Sequence, residues 1–102
     1  MRTERITMTD EKILEVISKY QDQLAKMGIE PWEYPHIEPI RDEADVFEHC
    51  AAMLPKMRQF LLEGRREKVF RWLGFIQGCF WSLGIVDMES LKNDNRSDEG
   101  EG

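Results

Sequence analysis

The chain has 102 residues, 41% of them apolar and 33% charged, with four prolines and seven glycines. That length leaves room for one domain, since two independent cores rarely fit below roughly 100–150 residues, and the composition excludes collagen-like and low-complexity classes. A formal charge of −6 argues against a surface that coats nucleic acid, and two cysteines are too few for a disulfide framework, so the core must come from packing, as expected in a reducing cytoplasm.

The predicted elements are helical throughout. Residues 1–10 hold no apolar block of signal-peptide length, and residues 1–8 read as a flexible start. Thr9 is a plausible N-cap, with Asp10 and Glu11 placed to favour the helix dipole. Ile13, Val16, Ile17, Tyr20, Leu24 and Met27 then recur at three- and four-residue spacing, and Gly28 is a C-terminal stop. Pro31, Pro35 and Pro39 follow too closely for a helix interior. The connection also carries Trp32, Tyr34, His36 and Ile37, and so many rings predict a strap packed against the core.

A second helix is expected from about Asp42 towards Glu63. Its apolar stripe is Phe47, Cys50, Leu54, Met57 and Leu61, with Ala44 and Ala51 beside it. Pro55 falls inside the pattern, which predicts a kink at residues 51–54 or two shorter helices meeting there. Gly64 closes the segment. The third helix begins near Arg65, with Val69, Leu73, Ile76, Phe80 and Leu83 as one stripe and Phe70, Trp72, Phe75, Cys79 and Trp81 on other sides. A helix apolar nearly all round must be covered nearly all round, and the first two helices can cover only part of it, so a partner subunit is expected, with the proline-rich strap as the competing cover. Gly74, Gly78 and Ser82 form a ridge of tiny side chains on successive turns. Two mid-helix glycines disfavour the helix by about 1 kcal/mol each relative to alanine, which makes sense where another backbone, an aromatic ring or a ligand approaches closely. Tight helix packing, within the fold or across a dimer, is the leading reading and a ligand crevice the alternative. Gly74, Phe75, Gly78 and Ser82 are therefore the expected self-association residues. After Gly84, Asp87 can cap a short last helix through Met88 and Leu91, and residues 97–102 read as a disordered acidic tail. The expected architecture is all-α: a small bundle of three main helices and a short C-terminal one within a single domain, residues 1–96. Residues 69–86 are too short and too interrupted by Arg71 and Gln77 to span a membrane.

No constellation for catalysis stands out. His49 and Cys50 are sequence neighbours, which point about 100° apart on a helix and cannot work together as base and nucleophile. Cys50 sits on the apolar stripe and reads as a core thiol. Asp45, Glu48 and His49 would be the best candidates for a metal or an active site, but no second ligand pair completes them, so neither an enzyme nor a cofactor is expected. An Asp45–His49 ion pair is the simpler reading. Between Lys56 and Arg71 stand six basic residues (Lys56, Arg58, Arg65, Arg66, Lys68, Arg71) against two acids, a local positive excess in an acidic chain. Lys92 and Arg96 join it if the last helix folds back. Such a patch beside Trp72 and Trp81 suits an anionic small molecule or an acidic partner, whereas the plainer account pairs the bases with Asp42, Glu43 and Asp45 or with a neighbouring subunit.

The stretch GRREKVFRWLGFIQGCFWSLGIVDMESLKNDNR (residues 64–96), preceded by EHCAAMLPKM, resembles a family of short proteins encoded by tailed bacteriophages. The likeness lies in an RWLGFIQG core, a following Trp and a closing L-K-x-x-N-R, and covers residues 48–96. It implies expression in a bacterial cytoplasm and no particular activity. Arg71, Trp72, Gln77, Gly78, Trp81, Asn95 and Arg96 are the matched positions that a family role would use. Where the family reads H-N-R, this chain has Asp94-Asn95-Arg96, so no role resting on that histidine carries over. The leading expectation is a non-enzymatic accessory protein that self-associates through its third helix and binds a host or phage partner. Its binding residues would be Arg65, Arg66, Lys68, Arg71, Trp72, Gln77, Trp81, Asn95 and Arg96. Alternatives are a sponge for an anionic nucleotide-type signal and an acidic DNA mimic that blocks a host enzyme.

Overall fold

The computed structural model describes residues 8–33 and 42–96. Four helices account for most of them: α1 (Asp10–Lys26), α2 (Glu43–Leu62), α3 (Arg66–Ser82) and α4 (Met88–Asp94), and no strand occurs among the described residues. Three of the four starts are capped by side chains that accept from otherwise free N–H groups. Thr9 Oγ1 accepts from the Lys12 N–H at 3.0 Å, an Asp42 carboxylate oxygen from Asp45 at 3.1 Å, and an Asp87 oxygen from Ser90 at 2.8 Å. The backbone and side-chain donors of Ser90 hold the Asp87 carboxyl below its usual range. Only α3 starts without a side-chain cap.

The three long helices end in the same way. The N–H two residues beyond each helix cap reaches back to a carbonyl five residues earlier: Ile29 to Leu24, Arg65 to Phe60 and Ile85 to Phe80, at 2.9–3.0 Å. This six-residue loop needs a left-handed residue in its next-to-last position. Gly64 and Gly84 supply it with φ of +78° and +82°. A Schellman ending usually closes with an apolar contact between its outer residues. At the end of α2 the outer residue is instead Arg65, whose guanidinium lies 4.8 Å from the centre of the Phe60 ring.

Ion pairs and ring contacts fix the order of packing. Arg66 at the start of α3 pairs with Asp10 at the start of α1, and Gln77 further along α3 meets Tyr20 further along α1, so these two helices run parallel. Phe60 meets Trp72 while Phe47 meets Phe80, so α2 runs antiparallel to α3. The core lies among them: Ile13, Val16, Ile17, Tyr20 and Leu24 from α1; Phe47, Cys50, Leu54, Met57 and Leu61 from α2; Val69, Leu73, Ile76 and Phe80 from α3. Each set follows the spacing that the sequence shows.

Some expectations are corrected. Pro55 does not divide its helix: α2 is unbroken from Glu43 to Leu62, with the proline ring on an exposed position. Met8 is buried and belongs to the core. Met27, the last residue of the first stripe, is exposed because it lies at the helix cap, beyond the reach of α2. Trp32 is 61% exposed and held by its backbone, its N–H donating to the Glu48 carbonyl at 3.1 Å, so its ring is not packed away as the aromatic strap suggested. Tyr34, Pro35, His36, Ile37 and Pro39 lie outside the described residues, as do residues 1–7 and 97–102. Among the described residues, no helix is long and apolar enough to cross a membrane.

Candidate functional site

The outward face of α3 is built by a helix whose other side is committed to the core. Val69, Leu73, Ile76, Gln77 and Phe80 are buried; Arg71, Gly74, Phe75, Gly78, Trp81 and Ser82 are exposed. At 3.6 residues per turn, Gly74, Gly78 and Ser82 stack along the middle of the exposed side, with Phe75 on one flank and Trp81 on the other. Phe75 and Trp81 are 51% and 52% exposed. The result is a strip of small side chains with an exposed ring near each end, on opposite flanks. A methyl group at Gly74 or Gly78 would meet nothing within 4 Å, so packing within this chain does not require either glycine. Ser82 Oγ is turned back onto its own helix, donating to the Cys79 carbonyl at 3.2 Å.

The basic cluster is divided among internal partners. Lys56 pairs with Glu33, and Arg58 donates to Ser18 Oγ at 2.6 Å and Gln21 Oε1 at 2.8 Å. Arg66 pairs with Asp10 and donates to the Met8 carbonyl at 2.6 Å. Arg65 lies 3.5 Å from Glu63 as well as over Phe60. Lys56, Arg65 and Arg66 thus have ion-pair partners inside the chain, in Glu33, Glu63 and Asp10. Lys68 sits over two rings, with Nζ 4.6 Å from the Phe60 centroid and 5.5 Å from that of Trp72. Trp72 is half-buried, edge-on to Phe60 at 4.9 Å. Arg71 and Arg96 are exposed, and neither has an ion-pair partner among the described residues.

Gln77 is turned into the fold, whereas Asn95 is exposed and meets it from the end of α4. Gln77 is 7% exposed, and its side-chain amide pairs with that of Asn95 in both directions, at 2.8 and 3.0 Å. Gln77 also donates to the Tyr20 hydroxyl at 3.0 Å, which in turn donates to Asp94 Oδ2 at 2.7 Å. Lys19 reaches the other oxygen of Asp94 at 2.7 Å. Burial, followed by the Asp94 carboxylate beside it, pushes the Tyr20 hydroxyl well above its ordinary range. The sequence reading placed Gln77 and Asn95 among binding residues; the fold uses both to fasten α4 to α1 and α3. Tyr20 and Asp94 went unnoticed as members of this network, although a tyrosine on a buried stripe calls for a partner for its hydroxyl.

His49 stands half-buried with its ring edge-on to Phe75 at 6.2 Å, and its Nδ1 is buried with no hydrogen-bond partner. The expected Asp45–His49 ion pair is not made through that nitrogen. Among the described residues no group of three or more His, Cys, Asp or Glu side chains is placed to hold a metal ion. What the arrangement offers chemically is a surface for close apolar contact, edged by Arg71. Comparison with protein-family models, with curated proteins and with solved structures gives no match for this chain.

Proposed function

We propose that the chain is a non-enzymatic accessory protein of the tailed-bacteriophage type, working without a cofactor in the cytoplasm of a bacterial host. In this reading it self-associates through the outward face of α3 and acts by binding a host or phage partner. The three long helices form the working body, the short α4 is an appendage fastened to it, and a proline-rich connection joins α1 to α2. The observation that carries the reading is the open space over Gly74 and Gly78 between two half-exposed rings. Each glycine disfavours the helix by about 1 kcal/mol relative to alanine, and nothing in the packing of the described residues explains both. A second backbone laid against the strip does. The nucleotide-sponge alternative draws mainly on Lys68 beside Trp72 and Phe60 and carries less weight, because Lys56, Arg58 and Arg66 are already engaged inside the fold.

Light scattering coupled to size-exclusion chromatography tests the reading. The wild type is expected to run as a dimer or larger assembly at micromolar concentration. Gly78→Leu is expected to run as a folded monomer, since leucine favours the helix and has room at that position within one chain. A wild-type protein that stays monomeric, or a Gly78→Leu variant that associates unchanged, would overturn self-association through α3.

A further inference from the structure

Cys50 and Cys79 are the only cysteines of the chain, and neither is in a disulfide. They lie on facing helices, bracketed by the ring pairs Phe47–Phe80 and Phe60–Trp72 that set the antiparallel register of α2 and α3. Cys50 lies one turn from Phe47 and Cys79 lies next to Phe80, so the Phe47–Phe80 ring contact brings the two thiols near each other. Their surroundings differ. Cys50 has no exposed surface, whereas Cys79 is half-buried and lies one residue from the exposed Gly78. A small oxidant can therefore reach one sulfur while the other waits behind it.

We infer that Cys79 and Cys50 form a redox modification site, in which a hydroperoxide oxidises the outer thiol and the inner thiol resolves it into a disulfide joining α2 to α3. In the first step the Cys79 thiolate attacks one peroxide oxygen, the O–O bond breaks, and Cys79 becomes a sulfenic acid as hydroxide leaves. In the second step the Cys50 sulfur attacks the Cys79 sulfur, the S–O bond breaks, and the proton of Cys50 leaves with that oxygen as water. Both sulfurs lose one electron, and the peroxide takes up the pair. Their proximity favours this division of labour. The neighbouring Cys50 thiol lowers the Cys79 thiol, partly offset by burial, while Cys79 and then burial push the Cys50 thiol up. Thiolate character and access together select the residue that is oxidised first. The inference is independent of what the α3 face binds.

Treatment of the full-length protein with dilute hydrogen peroxide, followed by denaturation, alkylation with N-ethylmaleimide and peptide mass mapping, tests it. The expected result is loss of both alkylatable thiols and a cross-linked pair of peptides, one holding Cys50 and the other Cys79, lighter by two hydrogens than the separate peptides. A Cys50→Ser variant is expected to hold a sulfenic acid at Cys79 that dimedone traps. Cys79→Ser is expected to keep Cys50 alkylatable after the same treatment. The inference is overturned if the oxidised wild type keeps either thiol, if Cys79 proceeds to sulfinic acid with Cys50 still free, or if the disulfide links two chains. The wild-type measurement decides the matter even if a variant folds poorly.

Discussion

Tyr20 has no exposed surface, yet it carries a hydroxyl that must be satisfied inside the bundle. Asp94 accepts from it and Gln77 donates to it, while Asn95 completes the exchange with Gln77. Gln77 belongs to the RWLGFIQG segment and Asn95 to the closing L-K-x-x-N-R, so the two parts of the motif meet through one amide pair. A polar residue on an apolar helix looked from the sequence like a binding group. Its use as a latch became visible only once α1 supplied the hydroxyl. Tyr20→Phe is expected to destabilise the protein by about 1–3 kcal/mol in urea unfolding, because Asp94 loses a buried donor and Gln77 an acceptor. The pH dependence has a definite sign. The hydroxyl ionises less readily folded than unfolded, so its contribution is complete below the unfolded value and is lost as pH rises beyond it. Wild-type stability is therefore expected to fall relative to Tyr20→Phe as pH climbs above about 10, the ordinary tyrosine value. Parallel loss in both proteins would show that the buried hydroxyl is not the titrating group.

At the scale of the helix, one substitution is expected to have opposite effects ten residues apart. Gly64 and Gly74 both have open space where a methyl group would go, but only Gly64 has a positive φ, +78°. Alanine at 64 must take a left-handed conformation, a strain of roughly 1–2 kcal/mol. Alanine at 74 joins a regular helix and is expected to stabilise the single chain by up to about 1 kcal/mol. Thermal unfolding of Gly64→Ala and Gly74→Ala, at a concentration low enough to keep wild type and variants monomeric, compares the two. Equal shifts would mean that the Gly74 backbone is under a constraint that the fold does not show. The sequence announced these elements well, because caps and stops act locally: Thr9, Asp42 and Asp87 start helices, and the glycines at 28, 64 and 84 end them. Pro55 does not divide α2 in two, because neighbours on both sides hold the helix together and tertiary packing outweighs the one backbone bond that proline removes.

For the whole molecule, charge and apolar surface pull in different directions. Which acid pairs with which base was not legible in the sequence, since Arg66 finds Asp10 from fifty-six positions away and Lys56 finds Glu33 across a connection. What remains is a net charge of −6 on each copy and, on the exposed side of α3, a strip of glycine, serine and two rings that we propose as the association face. Identical copies therefore repel at long range and attract only on contact. Raising sodium chloride from about 0.1 M to about 1 M shortens the screening length from about 10 Å to about 3 Å, which removes most of the repulsion and leaves the apolar contact intact. Self-association through α3 is thus expected to tighten severalfold over that range in sedimentation equilibrium. An assembly held by Arg71 or Arg96 against acids of a neighbouring copy would instead loosen with salt, and that outcome would move the interface away from the glycine strip.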